Sequence, residues 1–291
     1  MMQGPDLHSH STASDGTLTP EALMRRASAA GVQVLALTDH DTTAGIAEGQ
    51  TAADRLGIRL IPGVEVSVTW GGRTIHVVGL NLDPANPRLQ DGLGRLLAYR
   101  AWRAEEIGRR LAKQGIEGAY QGAKALSNGR LIGRTHFARF LVAQGRAADL
   151  RDVFSRYLVS GKPGHVAGEW ATLEEATSWI HDAGGQAVIA HPARYRLTRA
   201  RLLKLLGEFR ECGGGGLEVV SGSHSRDETL SFARVAREQR LLASAGSDYH
   251  GPENPWIDLG RLPALPAGCT PIWHDWPELL EPLPSPRVAV C

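Results

Sequence analysis

Short apolar runs alternate with amphipathic stretches along much of this 291-residue chain. The runs are bounded by Gly, Pro, Asp or Asn, which is typical of strands that end in turns. Helix starts lie between them, such as Thr19-Pro20-Glu21 with its N-cap threonine and early acid. Alternation of this kind predicts an α/β fold with a parallel sheet, and about seven strands predict a closed or nearly closed barrel. The predicted strands are residues 6–8, 32–38, 59–66, 74–80, 187–190, 216–220 and 242–245.

The alternation stops after the fourth predicted strand, and residues 86–162 have a helical pattern throughout. We therefore predict a barrel formed by residues 1–85 and 163–291, with a helical insertion at 86–162 that contributes substrate-binding residues. Residues 95–156 contain thirteen Arg and Lys against five acids, a net charge of +8, so the rest of the chain carries −7 of the total of +1. This asymmetry suits a site that holds cations in one part and an anionic substrate in another. A solvated, Arg-rich helical surface would explain the charge equally well.

The composition argues against several classes of protein. No apolar run approaches the roughly eighteen residues of a membrane helix, and the first residues lack the pattern of a signal peptide. The three cysteines, Cys212, Cys269 and Cys291, are odd in number and far apart. They indicate free thiols of a reducing compartment, so we expect a cytoplasmic protein. We expect no membrane contact and no obligate protein partner.

Histidines and acids recur where the predicted strands end. Because the carboxyl ends of barrel strands converge on one mouth, these side chains are expected to lie together. Mixed imidazole and carboxylate ligands suit Mn²⁺, Zn²⁺ or Fe²⁺ better than a bare Mg²⁺ site. Nine ligands fit two or three divalent ions, with a carboxylate such as Glu65 as a bridge. The predicted metal ligands are His8, His10, Asp15, His40, Glu65, His76, His191, Asp248 and His250.

Six short motifs in this order resemble those of the PHP (polymerase and histidinol phosphatase) superfamily. They are His8-Ser9-His10-Ser11-Thr12, Ser14-Asp15-Gly16, Thr38-Asp39-His40-Asp41, Pro62-Gly63-Val64-Glu65, Ala190-His191-Pro192 and Gly246-Ser247-Asp248-Tyr249-His250. The resemblance implies a distorted seven-stranded (β/α)7 barrel with a trinuclear metal centre, in which Mn²⁺ is the expected ion. Carried over by position, it implies three ligand sets: His8, His10, Glu65 and Asp248; Glu65, His76 and His191; and Asp15, His40 and His250.

Three further segments resemble the branch of the superfamily that acts on nucleotides. They are residues 133–139 in the insertion, 190–195 and 216–220. Members of this branch are 3′,5′-nucleoside bisphosphate phosphatases and 5′-to-3′ exoribonucleases. The resemblance therefore implies hydrolysis of the 3′-phosphate of a nucleoside 3′,5′-bisphosphate, such as adenosine 3′,5′-bisphosphate, to AMP and phosphate.

Metal ions about 3.5–4 Å apart can bind phosphate oxygens and lower the pKa of a bridging water, so a metal-activated hydroxide would attack phosphorus without a protein nucleophile. In this hypothesis Glu65, Asp15 and His40 are catalytic as ligands. Arg134 can fork two donors onto phosphate, and His136 is a candidate second donor or leaving-group acid.

Other residues are candidates for substrate contacts. Trp102 lies off the apolar stripe of its predicted helix, so it is either a base-stacking platform, with Arg103 reaching a phosphate, or a residue packed against the barrel. Thr135 lies between Arg134 and His136, and His224 follows the sixth predicted strand.

Four functions remain open from the sequence. The first is a phosphatase for small anionic nucleotides, and the second is an exoribonuclease that trims short 5′-phosphorylated RNA. Histidinol phosphatase is disfavoured by the Arg134 and His136 motif in a basic insertion. A non-catalytic metal-binding module would be expected to have lost ligands, whereas all nine positions are intact.

Overall fold

The computed structural model describes residues 4–127, 131–253 and 256–280, which form a curled, mixed six-stranded sheet covered by helices. The strands lie in the sheet in chain order. Their bounds are β1 Val34–Leu37, β2 Arg59–Trp70, β3 Arg73–Leu80, β4 Gln186–Ile189, β5 Gly216–Ser221 and β6 Leu242–Gly246. The predicted α/β class is confirmed.

Two details of the predicted sheet are wrong. The sheet is not purely parallel, since β3 is antiparallel to both β2 and β4. The chain reverses between β2 and β3 at Gly71 and Gly72, whose φ angles of 55° and 75° are open to glycine without steric cost. The other neighbouring strands pair in parallel.

The seven-stranded barrel is also not found as predicted, because residues 6–8 form no regular strand. They are an extended segment between the two edges of the sheet. The amide of Asp6 donates to Val34 O at 3.0 Å, at the start of β1, and the amide of Leu7 donates to Ala245 O at 2.8 Å, on β6. The segment is too short to form more than isolated bridges, yet it brings both sheet edges to the same place.

Helices cover the sheet and fill the region between β3 and β4. Several begin at a capping side chain, as Thr172 does for α7, where Glu175 completes a capping box. The helices are α1 Pro20–Ala29, α2 Ile46–Leu56, α3 Pro87–Ala112, α4 Ala119–Leu126, α5 Arg134–Ala143, α6 Leu150–Val153, α7 Leu173–Asp182, α8 Arg199–Glu211, α9 Arg226–Gln239 and α10 Pro277–Leu280, with a π turn at Phe154–Leu158 and a 3-10 turn at Pro192–Tyr195. No helix in the described part of the chain is long and apolar enough to cross a membrane.

The long helix α3 belongs to two hydrophobic cores. Its first half packs into the core of the sheet through Leu89, Leu93 and Leu96. Its second half belongs to a separate core with α4, α5 and the π turn, and that core extends to Val166, beyond the predicted end of the insertion at residue 162. One helix therefore fixes the position of the helical segment over the mouth of the sheet.

The close approach of α3 to α7 depends on Gly92. A Cβ at this position would lie 2.4 Å from the Trp179 ring. A Cβ at Gly94, two residues later in the same helix, would meet no atom within 4 Å. We expect Gly92→Ala to lower the free energy of unfolding by about 1–3 kcal/mol through overpacking. The control Gly94→Ala should raise it by up to about 1 kcal/mol, since alanine favours the helix. Urea denaturation measures both, and equal effects would show that this packing is not tight.

Candidate metal centre

The predicted ligands lie around one mouth of the sheet. His8 and His10 are on the N-terminal extended segment, and His40 follows β1. Glu65 lies within β2 and not at its end, because β2 extends to Trp70, beyond the strand end predicted at residue 66. His76 lies within β3. His191 follows β4, Asp248 and His250 follow β6, and Asp15 lies in the turn before α1. The structure thus brings all nine side chains together.

The Glu65 carboxylate lies at the middle of this cluster and is fully buried. Its Oε1 is 2.8 Å from His76 Nδ1 and 2.9 Å from His191 Nε2. Its Oε2 lies 2.8 Å from His40 Nδ1, 3.3 Å from His10 Nε2 and 3.4 Å from His8 Nε2, yet it has no hydrogen-bond partner. This oxygen is buried, lacks a hydrogen bond and is surrounded by imidazole nitrogens. Together, the carboxylate and these nitrogens form a set of metal-binding atoms that fits a pair of cations bridged by Glu65.

The other two carboxylates extend the cluster on either side of Glu65. Asp248 Oδ1 is 3.1 Å from His10 Nε2 and 3.4 Å from His8 Nε2. Asp15 Oδ1 is 3.2 Å from His250 Nε2 and 3.9 Å from His40 Nε2. Three groups have ligand atoms close enough to share an ion: His8, His10, Glu65 and Asp248; His40, Glu65 and His76; and His10, Asp15, His40 and His250.

These groups differ in part from the three sets that the resemblance implies. The first group contains the same four residues as expected. In the second, His40 joins Glu65 and His76, while His191 contacts Glu65 from outside the group, 3.4 Å from His76 Nδ1. In the third, His10 joins the expected residues. Neighbouring groups therefore share His10, His40 and Glu65.

The electrostatics of the cluster favour bound positive charge. Burial lowers the pKa of His10, but the neighbouring Asp248 and Glu65 carboxylates outweigh it and raise the pKa to about 10. Burial raises the pKa of Glu65, but the surrounding histidines hold it well below its ordinary range. The carboxylates thus favour the protonated forms of His8 and His10, whereas burial lowers the pKa of His40 to about 4. A divalent ion would replace those protons.

Two charged residues that the sequence reasoning did not assign to the site orient the ligands. Glu218, 2% exposed in β5, accepts from His8 Nδ1 at 3.2 Å and from the His191 amide. With Nδ1–H directed at Glu218, His8 presents Nε2 to the cluster. Arg194 Nη2 lies 2.5 Å from Asp248 Oδ2, which leaves Oδ1 directed at the histidines. The sequence feature that could have identified Glu218 is its position as the one acid inside the apolar run 216–220.

The backbone is strained beside the ligands. Asp41, His191 and Asp248 have φ angles of 51°, 25° and 56°, a region that residues other than glycine rarely adopt. Asp41 directly follows the predicted ligand His40, and His191 and Asp248 are themselves predicted ligands just after β4 and β6. Such conformations persist only where the surrounding structure holds them, and they are frequent at functional sites.

A small cavity of about 90 Å³ lies between the insertion and the ligands Asp15, His40 and His76. We call it the arginine cavity, because its walls include Arg100, Arg103 and Arg134 together with Trp170 and Phe154.

The three arginines differ in how their charge is balanced. Arg100 pairs with buried Asp41 at 2.5 Å. Among the described residues, Val166 O is the one acceptor of Arg103, at 3.0 and 3.2 Å, and burial together with Arg134 and Arg100 lowers the pKa of Arg103 to about 9. Within the described part of the chain, Arg134 makes no hydrogen bond or ion pair and lies over the Phe154 ring. Two cations without carboxylate partners therefore face the ligand cluster, an arrangement that favours an anion.

Thr135, a further predicted substrate contact, lines this cavity, and His136 follows it in the chain. The Thr135 hydroxyl donates to Asp15 Oδ2 at 3.2 Å and so links the insertion to the ligand cluster. His136 is buried, and its Nδ1 accepts from the Gly133 amide at 3.0 Å, so the neutral ring carries its proton on Nε2. Burial lowers the pKa of His136.

The structure does not bring Trp102 and His224 to the arginine cavity. Trp102 is 53% exposed and its ring lies 5.4 Å from that of Tyr99; Trp170 is the tryptophan that lines the cavity. The sequence reasoning missed Trp170 because it lies outside any regular element. His224 Nδ1 lies 3.1 Å from Val219 O, and its ring packs on Phe232.

Comparison with known proteins agrees with this geometry. Residues 6–169 match the PHP domain family. The chain belongs to this family. It is 49% identical over 275 residues to a 3′,5′-nucleoside bisphosphate phosphatase of Chromobacterium violaceum, a match that covers 94% of this chain and 96% of that one. It is 47% identical to the 5′-3′ exoribonuclease Rnm of Escherichia coli, with 94% of each covered.

A solved structure of an amidohydrolase from Chromobacterium violaceum, with bound sulfate and no metal, has a TM-score of 0.89 and 49% identity, over 92% of this chain and 94% of that one. The PHP resemblance is thereby confirmed. The chain is a hydrolase that acts on phosphate esters, and its clustered histidines and acids can bind metal ions.

Metal binding should release protons, because His8 and His10, whose pKa values are raised, must lose theirs to become ligands. We expect affinity for Mn²⁺ to fall by about ten-fold per pH unit below neutrality for each proton displaced. Calorimetry in two buffers of different ionisation enthalpy measures the protons released. His10→Ala should reduce that number, whereas the exposed His274→Ala should not. Binding without proton release would contradict this account of the cluster.

Proposed function

We propose that this chain is a phosphatase that removes the 3′-phosphate of nucleoside 3′,5′-bisphosphates. The observation that carries the proposal is the position of the arginine cavity beside the ligand cluster. A bisphosphate has two anionic groups separated by one ribose, and this site offers two separate regions for anions. The name of the Chromobacterium violaceum relative supports the same substrate.

The cluster would hold two or three divalent ions, with Glu65 as the bridge between them. Its mixed imidazole and carboxylate donors favour Mn²⁺, with Zn²⁺, Fe²⁺ and Mg²⁺ as the other candidates. Such ions would supply a nucleophile from water at neutral pH and neutralise the charge of the phosphoryl group. The site has no need of a serine or cysteine nucleophile.

The protein's own residues would bind and orient the nucleotide. Arg134 and Arg103 would bind the 5′-phosphate in the arginine cavity, where burial strengthens each charged hydrogen bond. The Trp170 ring in the cavity wall would exclude water. His136 would donate its Nε2 proton in a hydrogen bond, because Nδ1 is already occupied by the Gly133 amide. Thr135 would hold Asp15 in place through its hydroxyl.

The second candidate is a 5′-to-3′ exoribonuclease, the function in the name of the Escherichia coli relative. The observation that favours it is a wide cleft of about 840 Å³ that opens from the ligands Asp248 and His250. A closed site would accept only a mononucleotide, whereas this cleft leaves an outlet beside the cluster.

Glu65 is the residue whose change should matter most. We expect Glu65→Gln to reduce turnover of adenosine 3′,5′-bisphosphate by at least about a thousand-fold, because the amide removes the bridging negative charge. Release of phosphate and AMP with Mn²⁺, and with a chelator, measures the loss. Glu21→Gln, at a half-buried acid of α1 outside the ligand cluster, is the control. Near-normal turnover by Glu65→Gln would refute the proposed centre.

The arginine cavity is tested by removing one phosphate from the substrate. The unmodified enzyme should prefer adenosine 3′,5′-bisphosphate to adenosine 3′-monophosphate, which lacks the 5′-phosphate. We expect Arg134→Ala to lower kcat/KM for the bisphosphate by about ten- to a hundred-fold, because a charge-assisted pair is lost. Its kcat/KM for the monophosphate should change little.

Arg146→Ala, at an exposed arginine of the same insertion, is the control and should keep the preference for the bisphosphate. An equal loss of activity on both substrates in Arg134→Ala would place Arg134 at the reacting phosphate instead.

A further inference from the structure

Helix α3 has an outer side that faces away from both hydrophobic cores. Its inner side packs into those cores through residues such as Leu93 and Ile107. At about 100° per residue, the opposite side carries a row of residues spaced alternately four and three positions apart. We call this row the outer stripe, and it spans about 27 Å at 1.5 Å per residue. It consists of Asp91, Arg95, Ala98, Trp102, Glu105 and Arg109, all of them exposed.

The middle of the outer stripe is apolar. Trp102 is 53% exposed and Leu97, beside the stripe, is 37% exposed. The Trp102 ring rests on Tyr99, with 5.4 Å between the ring centroids. The small residues Ala98 and Ala101 lie next to it and are also exposed, so another helix could approach closely here. A cluster of exposed apolar side chains that includes a tryptophan is typical of a protein–protein contact surface.

The two ends of the outer stripe are charged, and their acids have no partner. Asp91 and Glu105 make no hydrogen bond or ion pair with any residue that the structure describes. Each acid lies four residues before an arginine of the stripe, a spacing that favours a pair within one helix. Yet Arg95 pairs with α7, and Arg109 pairs with a different acid of α3. Since arginine has five N–H donors, both arginines keep donors for an acid of another molecule.

The order of residues in the outer stripe is complementary to its own reverse. When two copies of the stripe lie antiparallel, they form three kinds of facing pair, which we call rungs, and each kind occurs twice. The rungs are Asp91 with Arg109, Arg95 with Glu105, and Ala98 with Trp102. Every charged rung then joins an acid to an arginine, and the large indole faces a small methyl group. In a parallel arrangement each residue would face itself, so like charges would meet along the whole stripe.

We propose that the outer stripe is the contact surface of a homodimer, in which α3 of a second copy of this chain packs antiparallel against it. A two-fold axis generates this arrangement, and two-fold dimers are the commonest homo-oligomers. Burial of Trp102 supplies most of the affinity, whereas the charged rungs fix the orientation. One pair of helices makes a small interface, so the dimer is weak and reversible. Arg100 and Arg103, which line the arginine cavity, lie on the other side of α3, so this dimer is compatible with either substrate of the proposed function.

Sedimentation velocity of the full-length protein measures this dimer directly, at concentrations between about 1 and 200 µM. We expect the unmodified protein to shift from monomer to dimer as its concentration rises. Trp102→Ala should raise the dissociation constant by at least about ten-fold, because the central aromatic side chain is lost. Leu230→Ala, at a 50% exposed leucine of α9, is the matched control and should leave the dimer unchanged.

Charge reversal tests the antiparallel order. Asp91→Arg makes both outer rungs pairs of arginines, and Arg109→Asp makes both of them pairs of acids, so each variant alone should dimerise about ten-fold more weakly. In a mixed dimer of the two variants, both outer rungs again join an acid to an arginine. We therefore expect an equimolar mixture to recover the affinity that each variant alone has lost. Glu117→Arg, at an exposed acid outside the stripe, makes the same change of net charge and should have no effect.

Three results would overturn the proposal. The unmodified protein could stay monomeric at the highest concentration. The dimer could form equally well in all three stripe variants, in which case another surface holds it together. The mixture of Asp91→Arg and Arg109→Asp could fail to recover the dimer although circular dichroism shows both variants to be folded. Recovery in the mixture would support the antiparallel contact, because it requires two folded chains whose outer stripes face each other.

Discussion

The structure depends on one buried carboxylate, that of Glu65. A fully buried carboxylate is costly unless positive charge compensates it, and here five imidazole nitrogens lie within 3.4 Å of its two oxygens. These imidazoles come from the N-terminal segment, the end of β1, β3 and the end of β4. The requirement to neutralise Glu65 therefore connects parts of the chain that are far apart in sequence.

The next constraint is the position of the helical insertion. Helix α3 is anchored in the sheet core by its first half and carries the second core on its other half. Between the two, Arg100 pairs with Asp41, which follows His40 directly. This pair and the contact between Thr135 and Asp15 attach the insertion to the ligand cluster at two points. At these contacts the basic insertion meets the acidic remainder of the chain. The two oppositely charged parts of the sequence therefore adjoin at the ligand cluster.

Most of the ligand cluster could be predicted because histidines and acids at the ends of apolar runs are a local pattern. The orienting residues could not be predicted in this way. Glu218 and Arg194 act on ligands about 27 or more positions away in the chain, and nothing near them in sequence shows which ligand they contact. Trp170 was missed for a related reason: it enters the arginine cavity from an irregular segment, where periodicity carries no information. The helical pattern of α3 correctly indicated that Trp102 lies off the apolar stripe. That pattern does not show whether the other side of the helix faces solvent or the site, and Trp102 is 53% exposed.

The sequence by itself determined the α/β class, the nine candidate ligands, the helical segment and its charge, and the resemblance to the PHP family. These follow from residue types and short-range periodicity, which a linear chain displays fully. Only the tertiary structure decided that β3 runs antiparallel, that the first segment forms bridges in place of a strand, and which candidate ligands lie close enough to share an ion. It alone showed two clefts beside the cluster, one small and lined by arginine, one wide. These features arise from packing between distant segments, where the position of each side chain depends on all of its neighbours at once.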